Sequence, residues 1–320
     1  MGHFKFLKAT DYSSIKEGTE IPESDLSIQA NETFYQFKYH EEDENRHMTY
    51  DVHPGIYSIL KTSAGYSLKK TEFTNDSILD EFVNTKNIED IVDCFFTNLH
   101  LYAEFGIEVP KRGVLLYGPA GSGKTTALNK SIQKYAKDGK TLVVVWHTSK
   151  YEAHEVQDFV KSFKYNNIDK IILICEDLGG MENDGVRMRS DSSLLSLLDN
   201  QEKTFALPVM IIATTNYPEN FAENLMNRSG RFDDKIKVGY PEAEARRSLL
   251  KFFSKDTADE QSLNLMASDK CKEFPPSHIR ESYIRSRLRS KSLFDTISDM
   301  VKEIETYKKG FSNQKNLGIY

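Results

Sequence analysis

The chain has 320 residues and an ordinary soluble composition, 39% hydrophobic, with 42 basic against 48 acidic side chains and a formal charge of −6. That length holds two or three compact units, and the slight acidity gives no support to non-specific nucleic-acid binding, although a local basic patch is compatible with it. No apolar run approaches a membrane span or a secretory h-region, and Cys94, Cys175 and Cys271 form no metal-type pair; a cytoplasmic protein with buried, reduced thiols is expected.

Residues 1 to about 32 are polar and irregular. Short strand patterns follow at 34–39, 47–52, 55–60 and 64–70, so 1–85 reads as a small β-rich N-terminal domain. Ile88, Ile91, Val92, Phe95, Phe96, Leu99 and Tyr102 recur at helical spacing. Buried strands are expected at 114–117, 142–146, 171–175, 209–215 and around 236–238, with helical patterns between them, including one through Val156, Phe159, Val160 and Phe163. Strands alternating with helices over 86–241 predict an α/β core with a parallel sheet and ligands at the strands' carboxyl ends. Helices at about 242–254, 259–270, 276–290 and 291–309 make 242–320 an all-α unit, the last with an apolar face from Leu293 to Tyr307.

Between the first core strand and its helix runs Gly118-Pro119-Ala120-Gly121-Ser122-Gly123-Lys124-Thr125-Thr126. The spacing G-x-x-x-x-G-K-T in a strand–loop–helix context is a P-loop. Its glycines let successive backbone N–H groups face one anion, and the helix N-terminus adds its positive dipole end. Lys124 can reach the β- and γ-phosphates of a bound nucleotide, and Thr125 can place its hydroxyl on Mg²⁺. Glu176 and Asp177 close a buried strand, where one carboxylate can hold Mg²⁺ and its neighbour can orient the attacking water. Asn216, after the next strand, can hydrogen-bond both that water and the γ-phosphate. On their own residues, Arg228 and Arg231 read as a solvated pair.

From about Tyr102 to the C-terminal helices the chain resembles the AAA ATPases, in the branch with a second region of homology. The carriers are Phe105 to Thr126, Met210 to Pro218 and Leu225 to Ile236. The resemblance implies a P-loop NTPase sheet with a C-terminal helical lid. It implies that Gly106 and Ile107 pack on adenine, that Asn216 is the sensor-1 residue, and that Arg228 and Arg231 reach a neighbouring subunit's γ-phosphate. It further implies ATP hydrolysis with Mg²⁺ at the interfaces of a homo-oligomeric ring, a hexamer, that remodels a protein client.

Three departures stand out. The family's usual Asp-Glu order is reversed in Glu176-Asp177. Either Glu176 is the metal-side acid and Asp177 the catalytic one, or Glu176 is catalytic with Cys175 at the metal-side position; a thiol is a poor Mg²⁺ partner. Phe253 stands where the family often has a ribose-contacting His, while Pro276-Ser277-His278 approximates the segment near the base. Translocating members carry an aromatic–hydrophobic–Gly pore loop after the second strand; Ser149 to Ala153 offers Tyr151 but no following Gly. The chain contains no H-E-x-x-H. A nucleic-acid motor or loader, suggested by Arg280, Arg285, Arg287, Arg289 and Lys291, and a slow-turnover nucleotide-gated scaffold remain as alternatives.

Overall fold

The apolar runs at 114–116, 142–146, 171–175 and 209–213 are buried throughout, as strands covered on both faces require. The computed structural model describes residues 26–30, 33–38, 49–62, 65–72, 83–147, 156, 159–178, 198, 205–218 and 231–316. These described residues divide into one unit lying within 1–76, 83–117 and 125–237 and a second lying within 118–124 and 238–320.

The first unit carries β1 (Leu26–Ala30), β2 (Thr33–Lys38), β3 (Thr49–Val52), β4 (Gly55–Thr62), β5 (Gly65–Lys70), β6 (Lys111–Tyr117), β7 (Thr141–His147), β8 (Phe163–Tyr165), β9 (Lys170–Glu176), β10 (Val209–Thr215) and β11 (Asp234–Lys237). Seven of these form one sheet in the order β11-β6-β10-β9-β7-β4-β5, parallel except for the closing β4–β5 hairpin. Strand order reverses around β6, which lies between β11 and β10, and such a switch point opens a crevice at the carboxyl ends. Register aligns those ends: Tyr117 pairs with Thr215, Cys175 with Ala213, and His147 with Glu176. Each fully buried Leu, Ile or Val in these strands contributes about 1.5–3 kcal/mol relative to exposure.

Helices α1 (Val83–Thr97) and α2 (Leu99–Glu104) precede β6, and α3 (Lys124–Ala136) follows the loop. The helical pattern expected to run unbroken through Tyr102 divides at Asn98, whose side-chain amide donates to the Cys94 carbonyl at 2.8 Å. Such local bonding competes with helix continuation. Cys94 is exposed, contrary to expectation, whereas Cys175 and Cys271 are buried thiols.

Three further features differ from the sequence reading. Leu26–Ala30, within the stretch read as irregular, pairs antiparallel with β2. Phe163, read as helical, opens β8, which joins a second sheet of order β1-β2-β3-β8. Gly55 to Ser58 of β4 pair in parallel with Leu142 to Val145, so residues 55–70 extend the α/β sheet. Pairing between strands, which a local pattern does not reveal, decides all three.

In the second unit, α4 (Ala243–Phe253), α5 (Glu260–Ala267), α6 (Pro276–Leu288) and α7 (Leu293–Asn316) match the expected helices. Leu250, Leu263, Met266, Phe274, Ile279 and Ile297 form their core. Asp259 caps α5 by accepting from the Ser262 amide at 2.8 Å. Buried Arg246 serves its other end, donating to the carbonyls of Met266, Ala267 and Ser268 at 2.8–3.0 Å and to Pro241 at 2.9 Å. The carbonyls of Met266, Ala267 and Ser268 are ones that a helix terminus leaves without internal donors. The expected apolar face of α7 holds at Ile297, Met300 and Val301, but Tyr307 is 70% exposed.

Candidate functional site

Lys124 opens α3, and the loop before it is built from glycines in conformations that L side chains avoid: Gly118, Gly121 and Gly123 have φ of 152°, 74° and 94°. A Cβ on Gly118 would lie 2.1 Å from the Val238 carbonyl oxygen, and one on Gly121 would lie 2.5 Å from Ser277 Oγ. Lys124 is 7% exposed and donates from Nζ to the carbonyls of Gly118 and Pro119, both at 2.9 Å. The Ser122 hydroxyl is buried with no hydrogen-bond partner among the described residues. Thr125 is exposed and Thr126 half-buried in the first turn of α3, while Ala120 is exposed on the loop. A glycine cradle, a buried ammonium, a buried hydroxyl and a helix N-terminus make a donor set suited to phosphate oxygens.

Gly106 and Ile107 lie just beyond α2 in the first unit. Ile107 is 44% exposed, its amide donates to the Tyr102 carbonyl, and Gly106 has a φ of 74°.

At the carboxyl ends of the sheet, Glu176 ends β9 and its Oε2 lies 3.0 Å from His147 Nδ1 at the end of β7. Asp177 leaves the strand in the left-handed region, φ 54°, with an exposed side chain. Thr214 anchors that turn: its hydroxyl accepts from the Asp177 amide at 3.2 Å and its carbonyl from the Leu178 amide at 2.8 Å. The two acids therefore diverge, one held against the sheet and one facing solvent. Cys175 is wholly buried, and burial pushes its thiol well above the ordinary range, which keeps it a neutral side chain of the sheet core. Among the described residues no group of three or more His, Cys, Asp and Glu could hold a metal by itself. Glu176 and the Thr125 hydroxyl suit Mg²⁺, which takes one or two protein ligands together with phosphate oxygens. Asn216 follows β10 directly and is half-buried.

Arg231 is 4% exposed, and its carbonyl oxygen would lie 1.7 Å from a Cβ on Gly113. Only glycine permits that approach of backbone to β6, which paired bonds then fix: Asp233 N donates to Gly113 O at 2.9 Å and Gly113 N to Asp233 Oδ2 at 3.2 Å. Arg228, Tyr151 and the remainder of 149–153 lie outside the described residues. Phe253 packs against the core of the second unit. His278 has a buried Nδ1 without a partner among the described residues, and burial lowers its pKa. Within the basic cluster, Arg285 pairs with Glu281 at 3.0 Å and Glu303 at 2.9 Å, and Lys291 pairs with Asp299.

His147 is the site residue that sequence reasoning missed. Its signal was a polar residue ending an otherwise apolar strand beside the strand that carries the acids.

Residues 114–240 match the model of the "ATPase family associated with various cellular activities (AAA)". The chain is 32% identical over 191 residues to the "ATPase family gene 2 protein" of Saccharomyces cerevisiae, covering 56% of this chain and 24% of that protein. It is 34% identical over 209 residues to the "ATP-dependent zinc metalloprotease FtsH 1" of Petrotoga mobilis, 60% of this chain and 30% of that one. With the "ATPase family gene 2 protein homolog A" of Homo sapiens it shares 30% identity over 175 residues, 52% and 19% of the two chains. The chain thus spans well under half the length of the curated relatives it matches. Among the described residues no helix is long and apolar enough to cross a membrane.

Proposed function

We propose that this chain, which belongs to the AAA family of ATPases, binds and hydrolyses ATP with Mg²⁺ at the subunit interfaces of a ring oligomer, a hexamer, to remodel a protein client. The observation that carries the reading is the phosphate loop, where a cradle of left-handed glycines meets a buried Lys124 and a buried Ser122 hydroxyl without a partner among the described residues.

In this reading the loop amides from Pro119 to Gly123 and the Lys124 ammonium hold the phosphates, aided by Thr125 and Thr126. Lys124 exchanges its two loop carbonyls for phosphate oxygens. Mg²⁺, when bound, neutralises charge that develops on the transferring phosphoryl group. Glu176 and Thr125 would be its protein ligands. Asp177 orients and deprotonates the attacking water, with Asn216 holding that water against the γ-phosphate; its exposed position on a pinned turn supports that role. Gly106 and Ile107 pack on the base. Of Arg228 and Arg231, which the family likeness directs at a neighbouring subunit's nucleotide, the burial of Arg231 favours Arg228 as the side chain that crosses. The nucleic-acid reading is weakened by the acidic partners of Arg285 and Lys291.

Steady-state phosphate release tests the reading. The wild-type chain is expected to turn over ATP, Lys124→Ala to lose nucleotide binding, and Asp177→Asn to bind ATP yet hydrolyse it about 10²-fold or more slowly, the usual scale for losing a positioned base. Turnover that survives both substitutions would refute the assignment; binding without turnover in the wild type would leave a nucleotide-gated scaffold.

A further inference from the structure

Glu176 and Asp177 are adjacent in sequence, yet the fold treats them differently. Strand register sets His147 opposite Glu176 as the last residues of neighbouring parallel strands. Nδ1 of the imidazole lies 3.0 Å from Oε2, and the two side chains are 35% and 19% exposed. Asp177 has turned out of the strand, its backbone pinned by Thr214. The rest of β7, Thr141 to Trp146, is buried, so His147 is where the strand emerges from the core.

We propose that His147 is a positioning residue for Glu176, fixing the carboxylate in the orientation that presents it to the nucleotide-bound Mg²⁺ and thereby separating a metal-side acid from a water-side acid. The inference rests on the ATPase reading and adds to it a residue that sets metal affinity. The physical basis is general: ligating carboxylates are themselves hydrogen-bonded, and a second partner that fixes their orientation is commonly worth 10–100-fold in metal affinity. An imidazole N–H donating to one oxygen fixes the plane of the carboxylate. Glu176 ends a strand and has a flexible side chain, so a partner that restricts its rotamers reduces the entropy lost when the metal is engaged.

The test uses the full chain and a fluorescent ATP analogue, with equilibrium binding followed as Mg²⁺ is titrated and again in EDTA. His147→Ala is expected to raise the half-saturating Mg²⁺ concentration about 10–100-fold. Metal-free nucleotide affinity and melting temperature should stay at wild-type values. His147→Gln, which retains an N–H donor, should recover part of the loss and also covers the case in which the alanine variant fails to fold. Adding His147→Ala to Glu176→Gln should produce no further shift, because both remove one interaction. An unchanged Mg²⁺ midpoint overturns the proposal, as does a parallel loss of binding in EDTA, which marks a packing role. Wild-type protein that binds the analogue with no response to Mg²⁺ overturns the ATPase reading and this inference together; a normal wild-type response with an unaffected His147→Ala overturns only the inference.

Discussion

Gly121 combines two constraints that act on one atom. Its φ of 74° lies in the left-handed region, and a Cβ there would stand 2.5 Å from Ser277 Oγ and 3.4 Å from Pro275. Gly121→Ala is therefore expected to cost about 1–2 kcal/mol from backbone conformation alone, with a steric cost added. Ser277→Ala removes the offending hydroxyl, so the double variant should regain the steric part and keep the backbone part, a non-additivity visible in thermal unfolding. Nucleotide affinity should fall in the single variant and recover in part in the double. A Gly121→Ala protein as stable as wild type would mean that the loop does not need this conformation. At the same scale Gly113 does a different job: Arg231 and Phe232 come to rest on β6 because no side chain stands in the way. The sequence supplied the arginine-finger likeness of that segment, but not the burial of Arg231, which depends on a glycine more than a hundred positions earlier.

The turn between α3 and β7 illustrates how elements are locked together. Asp138 accepts from the Lys140 and Thr141 amides, both at 2.8 Å, from the Thr141 hydroxyl at 2.7 Å, and from Lys170 at the start of β9 at 3.1 Å. Burial alone would raise its carboxyl; the four donors outweigh burial and hold it below the ordinary carboxylate range. A depressed carboxyl stabilises the fold fully above its unfolded pKa of about 3.9, and that contribution fades as pH falls through the still lower folded value. Asp138→Asn should thus lose about 0.5–1 kcal/mol at pH 7, because the residue is exposed and solvent screens its charged bonds. Urea unfolding should find the gap from wild type narrowing steadily below about pH 4. A gap independent of pH would assign the loss to shape and not to charge. Elements with strong local periodicity, such as α3, β7, β9 and β10, were legible because burial on both faces or on one stripe leaves a pattern in the chain itself. By contrast, β8 is three residues long and takes its stability from pairing with β3, while β4 joins the sheet through β7. Those partners are distant in sequence, so the local pattern was compatible with a separate N-terminal sheet. His147 escaped notice for the same reason: its significance comes from register with Glu176, which only the assembled sheet defines.

On the scale of the whole molecule, the proposed catalytic apparatus is incomplete in a single chain. Arg231, aimed at a neighbour by the family likeness, is buried within its own chain, which throws the trans role onto Arg228. This division predicts different behaviour for the two arginines. Lys124→Ala and Arg228→Ala proteins should each be inactive alone. Mixed one to one, they should regain hydrolysis, because an Arg228→Ala subunit keeps its own Lys124 and can borrow an arginine from a Lys124→Ala neighbour. Random assembly into a closed ring gives about one intact site in four, so recovery should approach a quarter of wild-type turnover. Arg231→Ala should complement less well, because removing a side chain that is 4% exposed empties a buried site and lowers the melting temperature of the subunit itself. Sizing of the mixture must accompany the assay, since mixed rings are the premise of the comparison. Mixed rings without recovered activity would place the whole site within one subunit, and equal complementation by Arg231→Ala and Arg228→Ala would return both arginines to a shared role across the interface.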